Sequence, residues 1–73
     1  MDYTIASLED AQGTMSLDFG KSGNKYKVSI HNKETKDYVH RLFAEMDKAY
    51  EVFEKISKHV IFGNYSYEDR KEL

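Results

Sequence analysis

Apolar residues alternate with polar ones over residues 14–31, TMSLDFGKSGNKYKVSIH, on both sides of a glycine. Met15, Leu17 and Phe19 share one face on the way out, and Tyr26, Val28 and Ile30 share one on the way back. Period-two alternation marks a half-buried strand, and two such runs around a short glycine turn predict a hairpin. Two loops compete. With Ser22-Gly23 as the loop, Phe19 faces Tyr26, Leu17 faces Val28, Met15 faces Ile30, and Asp18 meets Lys27. With Gly23-Asn24, Phe19 faces Val28 and Leu17 faces Ile30, while Met15 faces Asn32. The second loop has the better turn chemistry. The matched apolar and charged pairs favour the first.

The same reading extends along the chain. Residues 2–8, DYTIASL, form a first strand ending in a turn closed by Gly13. Residues 38–46 fit two patterns. They are either a fourth strand, 37–43, followed by a helix from about Met46, or the first part of one long helix. The strand is favoured because it ends on Phe43, puts acids in the first helical turn and starts a new apolar stripe at Ala49. That stripe is Ala49, Val52, Phe53, Ile56 and Val60, and it stops at Gly63-Asn64, a C-terminal helix signal. Ser66 then caps a short turn over 67–73. The expected fold is a single α+β domain over residues 1–73. A β-meander of three to four antiparallel strands packs against one main C-terminal helix, followed by a short terminal helical turn.

Length bounds what this pattern can build. At 73 residues the chain has a small core and a small stability margin, for which dimerisation is a common remedy. It has no cysteine, hence neither a disulfide framework nor a thiolate metal site. No apolar run approaches membrane-spanning length and no signal peptide is evident, so the expectation is a complete small cytoplasmic reading frame with no membrane partner. The net charge of −2 is unevenly spread. Residues 1–20 carry acids and no Lys or Arg. Residues 21–33 carry Lys21, Lys25, Lys27 and Lys33 and no acid. Acidic and basic strands side by side neutralise one another. A basic hairpin tip is the sharper alternative.

Catalytic signatures are missing. Gly20-Lys21-Ser22 lacks the upstream glycine and the strand-to-helix context of a phosphate loop. His31, His40 and His59 have no helical metal-pair spacing, although a fourth strand would bring His31 and His40 onto neighbouring strands; no metal and no cofactor is expected. The adjacent carboxylates diverge, so no enzyme is expected.

Aromatic content carries the functional expectation. Ten aromatics, six of them Tyr, exceed what this core can hold. Phe19, Tyr26, Phe43 and Phe53 are assigned to the core. Phe62, Tyr65 and Tyr67 cluster around the helix end, either as a second small core or as an interface. The favoured function is a non-catalytic protein-binding module acting by surface occlusion. It would be a small regulator or inhibitor of the phage or mobile-element type, anti-CRISPR-like in class, with binding residues Lys21, Lys25, Lys27, Lys33, Phe62, Tyr65 and Tyr67. Its partner is a host protein or a second copy. Nucleic-acid binding through the basic hairpin and tyrosines stands second.

Overall fold

The computed structural model describes residues 2–73, with Tyr67 described by its backbone alone. Four strands precede two helices: β1 (Tyr3–Glu9), β2 (Met15–Ser22), β3 (Lys25–Asn32), β4 (Asp37–Phe43), α1 (Met46–Ile61) and α2 (Tyr67–Arg70). The strands form one antiparallel meander in the order β1-β2-β3-β4. Helix α1 lies across the middle of one sheet face. Leu17, Phe19, Val28 and Ile30 from the sheet meet Ala49, Phe53, Ile56 and Val60 from the helix, and all are buried. The fourth strand and the helix start at Met46 are both present, although Glu45 supplies no side-chain cap.

The hairpin register differs from the favoured expectation. Phe19 pairs with Val28, Leu17 with Ile30, Met15 with Asn32 and Asp18 with Ser29, which makes Gly23-Asn24 the loop. Gly23 adopts φ 64°, and Asn24 is not among the positive-φ residues, a pattern that matches a type II′ turn. A Ser22-Gly23 loop would place Ser22 where positive φ is needed, at a cost of roughly 1–2 kcal/mol. Its better partner for Met15 returns only about 0.2–1 kcal/mol. The turn therefore outweighs the pairing. The slip is two residues, so every inward residue stays inward and the core assignment is unaffected. Tyr26 is half-buried rather than core. It lies under the Lys21 ammonium, whose Nζ is 5.4 Å from the ring centre.

Strand β1 shifts register between Thr4 and Ala6, a bulge that brings its backbone tight against β2. A Cβ on Gly20 would lie 2.4 Å from the Tyr3 carbonyl oxygen, so only glycine fits there.

Residues after α1 fold back between the helix and β4. Arg70 grips the Asp37 carboxylate with two parallel bonds, Nε at 2.8 Å and Nη2 at 3.2 Å. Arg41 donates to the Glu72 carbonyl at 3.3 Å, and Lys55 donates to the Glu72 carboxylate at 3.2 Å. Tyr65 and Leu73 pack on the core beneath these links. Among the described residues no helix is long and apolar enough to cross a membrane.

Candidate functional site

Helix α1 ends in a local motif that shapes its surroundings. Gly63 takes φ 73°, the Asn64 amide donates to the His59 carbonyl at 2.7 Å, and the Gly63 amide donates to the Val60 carbonyl at 3.3 Å. This is the Schellman arrangement, which satisfies the last helical carbonyls and reverses the chain. The reversal returns Tyr65 to the core. It leaves Phe62 pointing into solvent at 74 % exposure, the largest value among the exposed large hydrophobics, with Ile61 beside it at 58 %.

The β1–β2 turn forms the opposite wall. The Asp10 carboxylate accepts from the Thr14 amide at 2.8 Å, the Thr14 hydroxyl at 2.7 Å and the Met15 amide at 3.2 Å, and Gly13 completes the turn at φ 71°. These bonds, the Thr14 hydroxyl first, hold the Asp10 carboxyl below its usual range. Between turn and helix end runs a groove of about 490 Å³ whose apolar lining includes Ala11, Met15, Ile61, Phe62 and Tyr65. Burial in this wall raises the Tyr65 phenol above its ordinary value.

The structure thus brings Phe62 and Tyr65 into one groove but gives them different roles. Tyr65 is half-buried against the core, whereas Phe62 is free surface. The Tyr67 side chain lies outside the described residues. The lysines do not form one site. Lys21 stacks on Tyr26, Lys25 and Lys27 stand on the sheet face opposite α1, and Lys33 pairs with Glu9 at 3.3 Å. Lys33 sits about 26 Å along the strand from Lys25, far from the hairpin tip.

A further polar cluster was not anticipated. His59 Nδ1 lies 2.6 Å from Asp69, which is only 4 % exposed. The other Asp69 oxygen accepts from the Ser66 amide at 3.0 Å and hydroxyl at 3.4 Å. The spacing Ser66-x-x-Asp69 announces the cap. The His59 partnership has no sequence signature, because it joins residues ten apart across a chain reversal. Asp69 faces the backbone of its own cap and no open cleft, so the cluster holds the C-terminal segment in place. Among the described residues, no group of three or more metal-ligating side chains comes together.

No family model matches the chain, and neither a curated protein nor a solved structure is detectably similar to it.

Proposed function

We propose that this chain is a non-catalytic protein-binding module, a small regulator or inhibitor of the phage or mobile-element kind, that works by covering a surface of a larger protein. The observation that supports this reading is Phe62, exposed to 74 % beside Ile61 on the rim of an apolar groove. A ring this exposed supports no core among the described residues, and covering it would contribute roughly 2–3 kcal/mol. A standard interface takes about 800 Å² per partner. The whole molecule exposes 4905 Å², so such a contact would occupy about a sixth of it. That is a large share for so small a fold, and it suits action by occlusion.

The test uses Phe62→Ser and Ile61→Ser, because both side chains are exposed and neither supports the core. Tyr65→Ser would confound binding with stability. In sedimentation and in capture from the organism that encodes the chain, the double variant is expected to lose self-association or its specific partner. Its melting temperature should stay within a few degrees of the parent. A double variant that keeps every partner and the same mass rules out this groove as the interface.

A further inference from the structure

Among the described residues no element covers the sheet face opposite α1, and the register sets its side chains in rows. Ser7, Asp18, Ser29 and His40 form one row; Glu9, Ser16, His31 and Tyr38 form the next; Thr4, Gly20, Lys27 and Leu42 form a third. Charge divides this face along its length. The acids stand on β1 and β2 and, at Asp2, just before β1. The outward positions of β3 and β4 are Lys25, Lys27, Ser29, His31, Tyr38, His40 and Leu42, with no acid among them.

Three rings converge on the basic half. The Tyr38 ring lies 6.2 Å from that of His31 and 5.6 Å from that of His40, and it is 49 % exposed. Next to them a cleft of about 270 Å³ opens over the buried Ser29, bounded by Lys27 and Tyr38 on the basic side and by Asp18, Asp2 and the start of β1 on the other. Lys25 and Lys27 take part in no ion pair among the described residues. Lys33, by contrast, is held by Glu9.

We infer that the β3–β4 half of this face binds single-stranded nucleic acid. Unpaired bases would stack on Tyr38 and the flanking imidazoles, and the phosphates would run along Lys25 and Lys27. Open antiparallel sheet faces bearing rings suit single strands, because every unpaired base has a face to stack and a duplex presents none. Charge complementarity selects the occupant. A polyanion is drawn to the two free lysines and kept off β1 and β2 by Asp18 and Asp2, which confines the strand to the ring row. With two lysines engaged, binding is weak and moderately salt-dependent. This inference does not rest on the groove at Phe62, which lies elsewhere on the molecule.

The experiment is fluorescence anisotropy with labelled oligo(dT) and oligo(U) of about 12 nucleotides, a length that covers one sheet face. Salt is varied from about 20 to about 200 mM. Two phosphate contacts predict a slope of about −1.4 in log K against log salt. Lys27→Gln should bring the slope to about −0.7. Tyr38→Ala removes a stacking ring from the surface and should weaken binding about five- to hundredfold with the circular dichroism spectrum unchanged. Phe62→Ser should leave binding as it was, which separates this face from the groove. A preference for oligo(U) would point to RNA as the natural source, and a preference for oligo(dT) to DNA. Absence of binding at low salt, equal affinity for a duplex, or indifference to Tyr38→Ala overturns the inference. So does equal capture of labelled polyglutamate with the same Tyr38 dependence, which would make an acidic protein surface the occupant.

Discussion

Replacing Asp69 by alanine tests how the last ten residues are held. The carboxylate is 4 % exposed and makes three bonds, to His59 Nδ1 at 2.6 Å, to the Ser66 amide at 3.0 Å and to the Ser66 hydroxyl at 3.4 Å. A hydrogen bond to a charged group contributes about 1.5–3 kcal/mol when sheltered, and the His59 end is discounted here because that ring is partly in water. The bonds to Ser66, which tie down the start of α2, are included in that figure. Together these give a loss of about 2 kcal/mol. For a domain of this size that lowers the melting temperature by about 8–16 °C. Asp69→Asn keeps the volume and an acceptor and should fall about halfway. The assay is urea and thermal unfolding followed by far-ultraviolet circular dichroism and tyrosine fluorescence, since the chain has no tryptophan. Limited trypsin digestion supplies a local readout at Arg70 and Lys71, where cleavage should accelerate in the alanine variant before the global transition. A variant that melts within about 2 °C of the parent and is cut no faster would show that the Arg70–Asp37 fork and Tyr65 packing hold the segment without the carboxylate.

Other outcomes follow from the same structure. Leu17→Ala opens a cavity in the core that fully buried Leu17 shares with Ile56 and should cost about 2–4 kcal/mol by denaturant titration; an unchanged midpoint would contradict its place in the core. Gly20→Ala sets a methyl group 2.4 Å from the Tyr3 carbonyl, so amide exchange along β1 should quicken while β3 stays protected; even protection across the sheet would deny the close approach. Asp10 and Asp37 are both held below the ordinary aspartate range, Asp10 chiefly by the Thr14 hydroxyl and Asp37 chiefly by its bonds to Arg70. A lowered carboxyl stabilises the fold above its unfolded value and loses that contribution as pH falls through the folded one. The melting temperature should therefore drop below about pH 4, and Asp10→Asn with Asp37→Asn should flatten that drop in a pH series from about 2 to 7; a series of equal slope would show that the two carboxyls are not linked to folding.

The fold was legible where burial alone decided it. Leu17, Phe19, Val28, Ile30, Ala49, Phe53, Ile56 and Val60 announce their inward faces by spacing, and all are buried. The helix end at Gly63 and the fourth strand were legible too, since each rests on local chemistry. The pairing register was not legible because matched side chains favour one loop and the backbone need at one turn position favours the other. At the candidate site the sequence marked Phe62 and Tyr65 as surplus aromatics. It could not tell surface from support, because that depends on where the chain goes after Gly63. Neither the His59–Asp69 link nor the meeting of His31, Tyr38 and His40 rings has a spacing that reveals it. Both arise from elements that become neighbours only once the sheet and helix are in place. The lysines are close in sequence but not in space: strand length carries Lys33 to the far end, where it pairs with Glu9.

The two hairpin registers considered for β2 and β3 leave the same side chains facing α1, and this bears on how the chain folds. When only these strands have met, hydrophobic collapse rewards both arrangements alike, so the core cannot proofread the pairing. Selection falls to Gly23, whose positive φ closes the native loop. A hairpin zipped on Ser22-Gly23 would offer β4 an edge displaced by two residues, with the Arg70 partner Asp37 drawn away from the C-terminal segment. Such a chain would have to unzip before it could finish. Gly23→Ala weakens the selecting step without touching the core. Stopped-flow refolding should be slower in that variant, which would tie the folding speed of the whole domain to one exposed glycine at the far tip of the sheet; refolding at the parent's rate would show that the turn does not select the register.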